Sequence, residues 1–106
     1  MNADLLVSNA QIVTPSSTFQ GHIYVTGGRI SAITSEKEAG AAREIDAAGR
    51  FVLPGMVDEH VHMMDPGFTD REDWTQGTMA AARGGVTTVI DHHRSEPLVY
   101  TRKILE

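Results

Sequence analysis

Residues 54 to 62 read Pro54-Gly55-Met56-Val57-Asp58-Glu59-His60-Val61-His62. An apolar start after a Pro-Gly break, running on into two histidines, predicts a strand over 56–64. Along a strand, residues two apart point to the same face. Asp58, His60 and His62 then share one face near the strand's C-terminal end. Two imidazoles at that spacing can converge on one divalent cation at about 2.0–2.1 Å. Asp58, one step deeper, is placed to accept the other ring N–H of a ligand histidine. A His-x-His pair alone is weak, because two histidines on an exposed strand satisfy it by chance.

The residues that follow supply context. Asp65-Pro66-Gly67 ends the strand, and Thr69-Asp70-Arg71-Glu72 has the form of a capping box, with Thr69 at the N-cap and Glu72 three residues on. Residues 73–83, rich in alanine, read as a helix, with Asp70 and Asp73 at its positive N-terminus and Trp74 packing it against its neighbours. Gly84-Gly85 stops it. Val86-Thr87-Thr88-Val89-Ile90 is β-branched with little alternation, the pattern of a strand buried on both faces. Pro97 suits a first helical turn, and 98–106 reads as helix. The order strand, loop, helix, strand, loop, helix is the opening of a parallel α/β array. In such an array the C-terminal strand ends face the mouth, which is where the two histidines fall. Asp91, His92, His93 and Arg94 follow the second strand and border the same mouth. There an imidazole or the guanidinium is suited to a ureido or carboxylate group, or Asp91 merely caps nearby backbone.

Upstream, residues 4–53 have a different texture. Leu5-Leu6-Val7 and Gln11-Ile12-Val13 flank Ser8-Asn9-Ala10. His22 to Val25 and Arg29 to Ile33 alternate around Gly27-Gly28, a hairpin signal. Thr34 to Ala42 reads as a solvated loop that includes Glu36-Lys37-Glu38. Glu44-Ile45-Asp46 and Phe51-Val52-Leu53 read as two more strands around a turn at Gly49. Together these predict an antiparallel β layer with one buried face, on which His22 is structural. The domain reading is therefore 1–53 as a β segment and 54–106 as an α/β segment.

Composition narrows the function. The chain has 106 residues, a net charge of −5, 41% apolar and 22% charged residues and no cysteine. It is not disordered and has no run approaching the ~20 apolar residues of a membrane span. The acidic balance argues against nucleic-acid binding. Lack of cysteine excludes disulfides, thiolate metal sites and a Cys nucleophile. The N-terminus lacks a basic region and reads as cytoplasmic. The length does not accommodate a whole (β/α)8 barrel of roughly 250 residues.

The segment from Pro54 to His62, with Asp65-Pro66-Gly67, Gly77-Thr78 and Gly84-Gly85-Val86-Thr87-Thr88, resembles the amidohydrolase superfamily, and within it the cyclic amidases: allantoinases, hydantoinases (dihydropyrimidinases) and dihydroorotases. The first half, from Asp4-Leu5-Leu6-Val7-Ser8-Asn9-Ala10 through Gly27-Gly28-Arg29-Ile30 to Leu53-Pro54-Gly55, resembles the small β-sandwich of that family. The resemblance implies an α/β fold class: part of a β-sandwich followed by the first β/α units of a metal-dependent TIM barrel. At two positions the chain departs from dihydroorotases, with Met64 where they carry arginine and Arg94 where they carry asparagine.

The resemblance also implies a chemistry. His60 and His62 would bind one of two divalent metals, usually zinc, in the complete binuclear enzyme, with Asp58 behind them and His92, His93 and Arg94 near the substrate. A water activated by the metals would attack a ring amide carbonyl, and an aspartate would carry its proton to the leaving nitrogen. The substrate would be a small cyclic amide or ureide, with no nucleic acid or membrane partner, and the complete enzyme would be a homo-oligomer. Neither Lys37 nor Lys103 is placed like the family's bridging lysine, so the 106 residues alone are expected to bind zinc weakly and to be inactive. The other readings are an amidohydrolase of linear N-acyl substrates, a non-catalytic dihydropyrimidinase-related homologue, and a free-standing metal-binding module.

Overall fold

The computed structural model describes residues 3–92, 94–98 and 101–105. The chain divides into two compact units, Met1–Pro54 and Gly55–Glu106. The first holds β1 (Ala3–Val13), β2 (Thr18–Thr26), β3 (Arg29–Thr34), β4 (Ala41–Asp46) and β5 (Phe51–Val52). β1, β2 and β3 pair antiparallel in turn. The β2–β3 connection turns at Gly27 and Gly28, both at positive φ (57° and 73°), a conformation glycine adopts without a Cβ clash.

The two apolar runs around Ser8-Asn9-Ala10 are one strand with a bulge. Val7 pairs with Ile23 and Ala10 with Gly21, so β1 spends one residue more than β2 between these points. Asn9 takes φ 53° there, which Asn tolerates better than most residues. The extra residue shifts the alternation of side chains. Val7 consequently packs with Ala10, Ile12, Ile23 and Ala47, while Leu6 joins Ala3 and Tyr24 in a second cluster.

The layer is mixed, where the strand pattern predicted an antiparallel one. β4 and then β5 run parallel to β1 along its free edge. Gly49 does mark a turn, but the strands on either side of it continue in one direction. Since β3 and β4 lie on opposite edges of the β2–β1 pair, the 35–40 connection must cross a face of the sheet. It is solvated, as its polarity predicted, with 35–38 and Gly40 exposed, but it is anchored to the sheet at one point. The Tyr24 hydroxyl accepts the N–H groups of Glu38 (3.1 Å) and Ala39 (3.2 Å) and donates to the Ala39 carbonyl (3.0 Å).

The second unit is a β-α-β crossover: β6 (Met56–Val61), α1 (Trp74–Arg83) and β7 (Val86–Asp91), with the strands parallel, and α2 (Arg102–Leu105) beyond. β6 ends at Val61, so His62 stands just past it. The helix starts one residue later than predicted, and Asp73 caps it: its side chain accepts the Gln76 N–H at 2.7 Å. Thr69 and Asp70 lie in the turns before it. Asp73 prevails because its extended backbone (φ −133°, ψ 165°) aims the carboxylate back at the first turn, while Glu72 accepts the N–H of Asp73 itself. Trp74, the first helical residue, is half-buried.

β7 is not buried on both faces. Ile90 is 50% exposed, since among the described residues β7 pairs with β6 alone and α1 packs against it. Of the predicted helix over 98–106, the described residues show Arg102–Leu105 as helix, with Pro97 in a bend before it. Val99, Tyr100 and Glu106 lie outside the described residues. No helix among the described residues is long and apolar enough to cross a membrane.

Candidate functional site

Parallel pairing sets the ends of β6 and β7 side by side: Val61 is in register with Asp91, and His92 N–H donates to the Val61 carbonyl at 2.8 Å. A second bond closes the same end, from Met63 N–H to Asp91 Oδ1 at 3.0 Å. Asp91 thus takes its backbone-capping reading. One loop further out, Glu96 N–H reaches the Pro66 carbonyl at 2.8 Å, so the connections after the two strands are joined as well.

Three imidazoles gather at this end. The rings of His60 and His62 lie 5.1 Å apart between centroids, nearly perpendicular. His92 stacks on His60, with centroids 4.1 Å apart and planes 6° from parallel. His62 Nδ1 is hydrogen-bonded to the His92 carbonyl. A carbonyl only accepts, so Nδ1 is the donor, and in the neutral ring the lone pair then lies on Nε2. By the same reasoning His92 Nε2, 3.0 Å from the Glu59 carbonyl, is the donor there.

Asp58 engages His60 through the backbone: its Oδ1 accepts the His60 N–H at 3.1 Å. The β6–β7 register slips between Asp58 and Val61, and this contact holds the strand at the slip. The ring-orienting group that sequence reasoning sought in Asp58 is, for His62, the His92 carbonyl. No side-chain motif reveals a carbonyl acceptor, and only the strand register brings it into reach. Arg94 is exposed, and His93 lies outside the described residues.

The donors present suit a divalent ion in part. Two imidazoles, one with Nδ1 spent on a carbonyl so that its neutral form offers Nε2, match what zinc takes from histidine. Among the described residues no cluster of three or more His, Cys, Asp or Glu stands ready to complete a shell.

The comparisons with known proteins bear on the fold and the family. An L-hydantoinase (dihydropyrimidinase) from Arthrobacter aurescens superposes with a TM-score of 0.87 at 36% identity, over 93% of this chain and 22% of that one. A D-hydantoinase from Bacillus sp. AR9 gives 0.71 at 37% identity, over 82% and 19%. In sequence, an allantoinase from Deinococcus radiodurans is 39% identical over all of this chain and 24% of its own length. A dihydroorotase from Streptococcus thermophilus is 39% identical over 96% and 25%. The chain thus spans about a quarter of the length of the curated relatives it matches, and its α/β fold is that of the corresponding part of a hydantoinase. The model of the amidohydrolase family matches residues 51–106, the stretch that contains β6, its histidines, α1 and β7. By that match the chain belongs to the amidohydrolase family.

Proposed function

We propose that the protein is a metal-dependent hydrolase of ring C–N bonds in small cyclic amides or ureides, and that this chain contributes His60 and His62 to its metal centre. The observation that carries the reading is the fixed His62 ring, whose Nδ1–H is spent on a carbonyl so that Nε2 is left for a cation. The names of its relatives, allantoinase, dihydroorotase and hydantoinase, support the substrate class.

In this reading 1–53 is the β-sandwich segment and 54–106 the start of the barrel. A divalent ion, zinc by donor type, would supply Lewis-acid polarisation of the amide carbonyl and activation of water. The chain's own residues do the rest. His60 and His62 present nitrogen donors, Asp58 holds the backbone at His60, and the Asp91–Met63 bond fixes the strand ends that carry them. Arg94, exposed after β7, and His93, which lies outside the described residues, are assigned in this reading to a ureido or carboxylate group of the substrate, whereas the His92 ring is engaged with His60 and Glu59. The finished enzyme works as a homo-oligomer on a free small molecule.

The test is hydrolysis of allantoin, hydantoin, dihydrouracil and dihydroorotate by the zinc-loaded protein that carries this chain. Turnover of at least one, abolished by His60→Ala, is the expected result. Activity confined to linear N-acyl compounds would replace the substrate class. A protein that takes up zinc and turns over neither class would be the non-catalytic homologue.

A further inference from the structure

We infer that His92 is the positioning residue for both candidate metal ligands, its ring setting the plane of His60 and its backbone carbonyl setting the tautomer of His62. The inference deepens the metal reading above and rests on it for its consequence, though the geometry is that of the protein alone.

His92 lies at the end of β7, beside the end of β6, and is tied there twice by hydrogen bonds: its N–H to the Val61 carbonyl at 2.8 Å and its ring Nε2–H to the Glu59 carbonyl at 3.0 Å. Those two bonds fix both the backbone and the ring plane. The fixed ring then backs His60 at 4.1 Å with planes 6° apart. A third role as a ligand beside His60 is excluded by that same parallelism. An imidazole lone pair lies in its ring plane, and two parallel, stacked planes share no point at which one ion could sit in both. The His62 ring stands at 86° to His92 and is held by the carbonyl of the same residue. One residue just past β7 therefore orients His60, on β6, and His62, just past it. Because such outer partners fix ring orientation before the ion arrives, their loss typically weakens metal binding by about 10–100-fold.

The experiment uses nitrogen-15 imidazole spectra of the apoprotein and zinc affinity by chelator competition, for the unaltered protein and for His92→Ala and His92→Phe. In the unaltered protein His62 should show the Nδ1–H form, and the His60 ring protons should carry an upfield ring-current shift. His92→Ala should lose that shift and bind zinc about 10–100-fold more weakly. His92→Phe, which restores a flat ring without a nitrogen, should recover the shift and most of the affinity. Both variants keep the backbone carbonyl, so both should keep the His62 tautomer. A mixed His62 tautomer, or His60 shifts indifferent to His92→Ala, would overturn the positioning role even with zinc bound. The expected spectra without any zinc uptake would support the positioning role and overturn the metal reading instead.

Discussion

Met63 donates its backbone N–H to the Asp91 carboxylate at 3.0 Å, across the gap where β6 has ended and β7 is ending. Met63 is buried (4% exposed), so its amide has little recourse to water once that oxygen is removed. Asp91→Ala should therefore cost about 1–3 kcal/mol, the usual penalty for an orphaned buried donor. Asp91→Asn, which keeps a carbonyl oxygen there, should cost much less. Urea denaturation read together with hydrogen exchange at the Met63 amide checks both, and equal midpoints for Asp91→Ala and the parent would refute the capping role.

Gly55 meets Thr87 where β6 begins. A Cβ on Gly55 would collide with Thr87 Oγ1 and Cγ2 and stand 2.8 Å from Thr87 Cβ. A β-branched side chain cannot swing all three atoms away, so Gly55→Ala should destabilise the second unit by about 1–3 kcal/mol. Thr87→Gly in the same chain should restore most of the loss. A double variant no more stable than Gly55→Ala alone would rule out the contact as the cause.

Two substitutions separate the cap of α1 from the predicted capping box. Asp73→Ala removes the acceptor for Gln76 N–H and should cost about 1 kcal/mol. Thr69→Ala should leave the thermal midpoint unchanged. The reverse ranking would return the N-cap to Thr69.

Acid should loosen the first unit through Asp46 and Glu44. The Ala48 N–H, and after it the Asn9 side chain, hold the Asp46 carboxyl below its ordinary value of 3.8. The ion pair with Lys37 does the same for Glu44, whose carboxylate oxygens lie 2.8 and 2.9 Å from Lys37 Nζ. Both folded-state values are depressed, so the stabilisation is complete above the unfolded values and is lost as pH falls through them toward the folded ones. The denaturation midpoint should decline from pH 5 to pH 3 less steeply in Asp46→Asn than in the parent, where identical slopes would count against Asp46 as a contributor.

Local chemistry made the elements legible. Gly27-Gly28 needs no tertiary contact to turn, Gly84-Gly85 none to end a helix, and Val86 to Ile90 reads as strand from β-branching alone. The alternation within β1 was harder, because the bulge at Asn9 changes which residues face which cluster midway along the strand. Direction was illegible: nothing in Glu44 to Val52 says that β4 and β5 lie beside β1 and run parallel to it. That outcome depends on a connection pinned by the Tyr24 hydroxyl, a contact spanning 14 and 15 residues to Glu38 and Ala39.

By itself the sequence determined the His-x-His pair and its place at the end of the first parallel strand, since residue type and spacing are local properties. Tertiary structure decided what each histidine does. Only the register of Val61 with Asp91 sets His92 against its neighbours. Parallel pairing juxtaposes residues thirty or so positions apart, and the groups that orient the rings include two backbone carbonyls, which every residue carries and no sequence pattern can mark.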